Sequence, residues 1–298
     1  MNTETRLTCP SCGAAQHAGD LFCEQCGARL DHEPPADAAR TELDLAVAAA
    51  VSDQGRVHHR NEDAFHLEVF DGRRVAVVVC DGISSASAGN VAARDAAQAA
   101  GTVLSRAAAD PALDAVQATA DAIEAATNAV LRVEWTTRTQ RVDPSCTLVS
   151  AVCRDGEVVV GWVGDSRAYW FDEVEALQLT VDDSFAEEGV AKGLLTPEQA
   201  AKSPFLHSIT HWVGPDAPER PPRVVELRPE RRGRLVLCTD GLWNYAPGAE
   251  ELGRIVAELP AGAAPAAVAR ALTDMANERG GHDNITVAVV EIDPPAMS

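Results

Sequence analysis

Two stretches of this sequence end alike: VVVCDG at residues 77–82 and LVLCTDG at 235–241. In each, a run of strand-forming apolar residues closes on Asp-Gly. A rigid sheet would therefore hold a short carboxylate at its rim, while the glycine lets the next backbone carbonyl approach closely. Rigidly placed oxygen donors are what a hard divalent cation requires. Asp283, in GGHDNITV, stands just before another apolar run, and Asp63, in NEDAF, is expected just after the first strand. Asp63, Asp81, Asp240 and Asp283 would then meet at one sheet edge. Gathering four carboxylates is costly unless cations neutralise them, which points to Mg²⁺ or Mn²⁺. Few histidines accompany them, and that argues against a zinc hydrolase site. A turn made by Asp-Gly after a strand explains any one of these positions well and the whole set less well.

Outward from these motifs, short apolar runs predict strands at LAVAAAVSD (45–53), RVAVVVCDG (74–82), CTLVSAVC (146–153), VVVGWVGD (158–165), RLVLCTDG (234–241) and ITVAVVEI (285–292). Alanine-rich blocks at 88–109 and 112–135 lie between strands and predict a helical pair packed on one side of a sheet, and 263–279 predicts a further helix. With 298 residues, 46% of them hydrophobic, the chain can bury a full-sized core. The expected organisation is sheets layered between helices.

The cysteines fall into two groups. Cys80, Cys146, Cys153 and Cys238 are scattered singly and read as small core residues. Cys9, Cys12, Cys23 and Cys26 are packed into CPSCGAAQHAGDLFCEQCG (9–27), each CxxC followed by glycine. Four thiolates at this spacing supply one tetrahedral zinc site, and the segment resembles the zinc-ribbon family over residues 9–30. The polar, proline-bearing DHEPPADAAR (31–40) then reads as a linker. The expected division is a ribbon at 1–30, a linker at 31–42, a main domain at 43–293 and a tail at 294–298.

A formal net charge of −20 repels phosphate backbones, and residues 1–30 carry only Arg6 and Arg29 as basic side chains. Nucleic acid is therefore a poor partner for either region, and protein docking or a structural cap is the expected role of the ribbon. Neither a signal peptide nor a run long enough to cross a bilayer is apparent, and thiolate metal ligation suits a reducing compartment, so a cytoplasmic location is expected.

Taken together, SDQGRVHHRNEDA (52–64), CDG (80–82), GWVGDSRAY (161–169), CTDGLW (238–243) and HDNITV (282–287) resemble the PPM family, the type 2C metal-dependent protein Ser/Thr phosphatases, in order and spacing throughout 43–292. The resemblance implies an α+β fold, a four-layer αββα sandwich, two Mn²⁺ or Mg²⁺ ions, and a water activated between them to hydrolyse phosphoserine or phosphothreonine in phosphoprotein substrates. It further implies that Asp81 bridges both metals, that Gly82 offers its carbonyl, that Asp240 and Asp283 complete the metal shell, and that Asp63 and Glu62 act through waters. Asp165, in GDSR, matches a third-metal ligand of bacterial members; holding Arg167 or a turn is the alternative role. Residues 180–205 resemble the flap beside the bacterial active site, with a surface helical excursion as the alternative. A Ser/Thr kinase, or another protein, is the partner expected for the ribbon.

Two departures from the family pattern matter. Where an arginine usually grips the substrate phosphate, three residues after Gly55, this chain has His58. On an alternating strand Arg56, His58 and Arg60 would share a face, which makes His58 and Arg60 the candidate grip. After Gly82 the chain reads ISSASAGN (83–90), without the histidine that bacterial members often carry, so proton delivery to the leaving group falls to water, His58 or His282. Ser84, Ser85 and Ser87 are candidates to bond phosphate or water, or simply to satisfy backbone groups. A phosphopeptide-binding or regulatory pseudophosphatase is the competing reading.

Overall fold

The structure, a computed structural model, describes residues 7–8, 15–16, 25, 38–135, 143–200, 203, 205, 208–260 and 262–294. Two compact units, Met1–Ala38 and Ala39–Ser298, are distinguished. In the first, β1 (Leu7–Thr8) pairs antiparallel with β2 (Ala15–Gln16). The expected zinc ligands Cys9, Cys12, Cys23 and Cys26 lie outside the described residues.

The second unit begins with a hairpin, β3 (Arg40–Asp44) and β4 (Ala48–Asp53), followed by β5 (Asp63–Phe70) and β6 (Arg74–Asp81). Helices α1 (Gly89–Ala109) and α2 (Ala115–Val130) come next. Four strands follow, β7 (Leu148–Arg154), β8 (Glu157–Val163), β9 (Arg167–Asp172) and β10 (Ala176–Gln178), then the short helices α3 (Phe185–Ala191) and α4 (Pro197–Ala200). The chain closes with β11 (Arg223–Leu227), β12 (Gly233–Cys238), α5 (Asp240–Trp243), α6 (Ala249–Glu258), α7 (Pro265–Glu278) and β13 (Ile285–Ile292).

Two antiparallel sheets result, one ordered β10-β9-β12-β13-β4-β3 and the other β11-β8-β7-β6-β5. Alternation of side chains gives each sheet two apolar faces. Between the sheets, Val77, Val79, Val149 and Ala151 meet Ala50, Trp170, Leu235, Leu237 and Ala288. The outer face of the five-stranded sheet, with Ala76, Val78 and Val152, packs on α1 and α2. That of the six-stranded sheet, with Val236, Val287 and Val289, packs on α5, α6 and α7. The layers are therefore helix, sheet, sheet, helix, in agreement with the expected α+β sandwich. Each fully buried leucine among them, such as Leu104 and Leu237, contributes about 1.5–3 kcal/mol of transfer free energy.

Small residues set the close approach of α1. A Cβ on Gly101 would lie 2.2 Å from the His66 ring, so only glycine lets the helix settle onto β5. Helix α2 is capped by Asp114, whose carboxylate accepts from the backbone N–H groups of Val116 and Gln117. All four scattered cysteines are buried and free.

The expected strand at 45–53 proves to be one strand plus a turn: Ala46, at φ 66°, sits between β3 and β4. As a result β3 starts at Arg40, inside the stretch read as linker. Among the described residues no helix is long and apolar enough to cross a membrane.

Candidate active site

The four carboxylates do not share the one sheet edge expected from the sequence but come from strand ends of both sheets: Asp63 and Asp81 from the five-stranded one, Asp240 and Asp283 from beside β12 and β13 of the six-stranded one. Asp81 is the last residue of β6 and Asp63 the first of β5, where the two are register partners. This corrects the expected place of Asp63: it opens β5 and is separated from β4 by the 54–62 loop, in which Gly55 turns the chain at φ 75°. Asp240 begins α5 two residues beyond β12, and Asp283 ends the turn before β13, the strand that pairs with β12. Gly241 is obligatory at this junction, since a Cβ there would lie 1.9 Å from the Asn284 carbonyl. Gly82 is equally confined: its Cβ would fall 2.6 Å from the Glu62 carbonyl, to which its own N–H donates at 3.1 Å.

Asp81 is the electrostatic centre of the group. Burial drives its carboxyl well above the usual range, and the charges of Asp63, Asp240, Asp283 and Asp165 push it further. Asp63 is pushed up to about 8, first by burial; hydrogen bonds from the Thr286 and Thr239 hydroxyls, 2.8 and 3.0 Å from its Oδ2, oppose the shift and Asp283 and Asp240 reinforce it. Asp240 rises to about 6 by burial and by the charge of Asp283, while hydrogen bonds with Asp81 and Asn244 pull it back. As whole residues Asp63 and Asp240 are half-buried, yet the Oδ1 atom of each is out of solvent and without a hydrogen-bond partner. Orphaned buried carboxylate oxygens, in a cluster that repels itself, are the environment a divalent cation stabilises. The residues present thus fit the ions that the sequence implies.

As they stand, no three His, Cys, Asp or Glu side chains among the described residues converge into a ready-made cation cluster.

Asp165 lies in the turn between β8 and β9, 6% exposed, its carboxyl raised first by burial and then by Asp240 and Asp182. Its backbone carbonyl accepts from Trp243 Nε1 at 2.9 Å. Asp165 thus sits in the turn that is one of its alternative roles, and the charge of Arg167 lowers its carboxyl against the burial, although Arg167 is itself paired elsewhere. Arg167 is paired with Asp182 at 2.7 Å, donates to the Tyr169 hydroxyl and to the Pro247 carbonyl, and stacks 3.8 Å above the Trp243 ring. This cluster fastens Asp182, at the start of the 180–205 segment in which α3 and α4 lie, to the core. The adjoining Asp183, fully buried, accepts from the Gly164 N–H and pairs with Arg223 at 2.8 Å.

Residues 54–62 form no strand, so the expected alternation of Arg56, His58 and Arg60 on one face does not hold. The Gln54 side chain donates to the His58 carbonyl, and Asn284 pins the rest of the loop: its Nδ2 donates to the carbonyls of Gln54 and Arg60 at 2.7 and 3.0 Å, and its Oδ1 accepts from the Glu62 N–H at 2.7 Å. His58 is directed at a carboxylate, its Nε2 3.2 Å from Asp283 Oδ1. Arg60 and His58 both lower the Glu62 carboxyl, which burial nonetheless raises, and the Ser84 hydroxyl hydrogen-bonds to it. His282 packs against Tyr245 and its backbone N–H donates to the Tyr245 hydroxyl.

Several positioning residues lie within or beside the motifs, with no role that their residue type announces. Thr239 and Thr286 orient Asp63, Asn284 holds the loop, and the pair Arg167–Asp182 anchors the segment that begins at Thr180. For Thr239 and Asn284 the signal available is a place immediately beside a motif aspartate.

A family model described as protein phosphatase 2C matches residues 54–276. The Ser/Thr protein phosphatase PstP of Mycobacterium tuberculosis is 30% identical over 260 residues, 85% of this chain, and this chain spans about half of that relative's length, 46%. The crystal structure of the Ser/Thr phosphatase Stp1 from Staphylococcus aureus superimposes with a TM-score of 0.70 at 26% identity, covering 85% of this chain and 98% of that one. The catalytic domain of PstP in complex with two manganese ions gives 0.64 at 25%, covering 85% and 100%. With most of its residues inside the matched model, the chain belongs to the protein phosphatase 2C family.

Proposed function

We propose that this chain is a metal-dependent protein phosphatase that hydrolyses phosphoserine and phosphothreonine. The observation that carries the reading is the group Asp63, Asp81, Asp240 and Asp283, drawn from both sheets, with its two orphaned buried oxygens. Asp81, the Gly82 carbonyl, Asp240 and Asp283 would hold two Mn²⁺ or Mg²⁺ ions, with Asp63 and Glu62 acting through water and Asp165 serving a third. When bound, such ions acidify a water for in-line attack on phosphorus and neutralise the phosphoryl oxygens. The chain's own residues supply the rest. Thr239 and Thr286 fix the Asp63 carboxylate, Asn284 fixes the loop that carries Glu62 and His58, and Arg60 offers a cation to the substrate phosphate.

Phosphate release from a phosphothreonine peptide tests the reading. Wild type with Mn²⁺ turns over, and chelator or Asp81→Asn reduces the rate to background. Equal rates in all three would end it.

One observation favours the pseudophosphatase reading: His58, at the place of the family's arginine, is engaged with Asp283. His58→Arg separates the two. In an active phosphatase with a weakened grip, the arginine lowers KM for the phosphopeptide; in a pseudophosphatase it restores no turnover.

The N-terminal region belongs to the same proposal. Its paired CxxC units support a four-cysteine zinc ribbon over 1–30, linked by 31–42 to a phosphatase domain at 43–293 with a tail at 294–298. Its scarcity of basic residues supports docking to a protein, such as a Ser/Thr kinase, in a reducing cytoplasm.

A further inference from the structure

A hollow of about 240 Å³ lies beside the carboxylate edge, between the loop after Gly82 and the segment that follows the flap. Ile83, Ile209, Trp212 and Pro215 give it apolar walls, and Asp143 and Asp216 give it carboxylates. Its position is fixed by the backbone. The Ile83 N–H donates to the Ser145 carbonyl at 3.1 Å, and Cys146 bridges to both Gly82 and Val213. Ile83, a wall of the hollow, is thus the residue that follows Gly82, next but one to Asp81.

We propose that this hollow is a substrate subsite that receives the side chain of an arginine or lysine flanking the phosphorylated serine or threonine. The proposal rests on the phosphatase reading above and names its substrate class. Size is the first reason: the volume is below the roughly 300–1,000 Å³ of small-molecule pockets and suits one side chain. Chemistry is the second. A basic side chain is apolar along its stem and charged at its tip, and it buries the stem on surfaces such as Trp212 and Ile83 while the head meets a carboxylate. Asp216 is exposed at the rim and, among the described residues, is engaged in no ion pair. The formal charge of −20 draws basic segments toward the surface and disfavours acidic ones. Carboxylates in the hollow exclude a second phosphate by the same argument.

The test compares phosphothreonine peptides identical except for flanking arginine, alanine, leucine or glutamate, with Mn²⁺ present. The arginine peptide is expected to have a kcat/KM about tenfold above alanine, and glutamate to be the poorest. Asp216→Lys abolishes the arginine preference, and Trp212→Ala raises KM for the arginine peptide. Neither variant changes hydrolysis of p-nitrophenyl phosphate, which has no flanking residue, so that substrate also reports that each variant is folded. Absence of an arginine preference in wild type, its survival in Asp216→Lys, or a leucine peptide as good as arginine overturns the subsite while leaving the phosphatase intact. Failure of wild type to hydrolyse p-nitrophenyl phosphate with Mn²⁺ overturns the phosphatase reading, and the subsite falls with it.

Discussion

Asp63 and Asp81 stand opposite each other across the β5–β6 pair, two like-charged residues in direct register at the buried end of a sheet. Such a pairing is unfavourable between ionised carboxylates, and burial together with the neighbouring charges holds both carboxyls above the usual range. The consequence is a pH dependence of stability in metal-free protein. The unfolded Asp63 loses its proton near 3.8, whereas the folded one keeps it to about 8. Between those values the native state binds more protons, so this group's contribution is fully present below about pH 4 and is lost as pH rises toward 8. Asp240, raised to about 6, acts in the same direction over a narrower range. Thermal melts in chelator from about pH 5 to 8 should show the decline, and saturating Mn²⁺ should stabilise most at the alkaline end. A chelated protein whose stability rises steadily across that range in wild type, and does so equally in Asp63→Asn, would contradict this assignment.

The parts of the fold that were legible in the sequence are those with two-sided burial. Strands β6, β7, β8, β12 and β13 are almost continuous apolar runs because helices cover one face of each and a sheet the other. The strands missed are mostly at edges: β5 and β11 border one sheet and β10 the other, and their residues are mainly half-buried or exposed, so DAFHLEVF and RVVEL show only weak periodicity. In the site, Asp81 and Asp240 announced themselves by their Asp-Gly punctuation. Asn284 did not, because its role is to bind backbone carbonyls 224 and 230 residues away, a relation no local pattern contains. The 54–62 loop misled for a related reason. Its alternating basic residues imitate a strand, and only the turn at Gly55 and the anchor at Asn284 cancel that pattern.

Asn284 is 2% exposed, and its replacement by alanine strands the Glu62 N–H and two carbonyls. Asn284→Ala should lower stability by about 1–3 kcal/mol and weaken Mn²⁺ affinity by roughly 10–100-fold, since the loop positions Glu62 and, through His58, Asp283. Denaturant unfolding and Mn²⁺ titration check the two effects. Wild-type Mn²⁺ affinity in the variant would show that the loop does not orient the edge.

Arg167 joins the core to the segment carrying α3 and α4 through Asp182, itself 6% exposed. Arg167→Ala leaves that carboxylate buried and unpaired and should cost about 3–5 kcal/mol. Arg167→Lys keeps the charge but loses the fork that bonds Asp182 and stacks on Trp243, so it should recover only part of the loss. Limited proteolysis should show earlier cleavage within α3 and α4 in both variants. Cleavage there at the wild-type rate would remove Arg167 as the anchor of that segment.

The proposed phosphatase activity stands or falls with the four aspartates as a divalent-cation site, and counting bound Mn²⁺ on metal-free protein by calorimetric titration tests this most directly. Zinc content is measured separately so that the N-terminal cysteines do not confuse the count. Wild type should bind two Mn²⁺ with affinity that rises with pH, and Asp81→Asn should lose that binding while remaining folded. Undiminished Mn²⁺ binding by Asp81→Asn, or none by wild type, would contradict it.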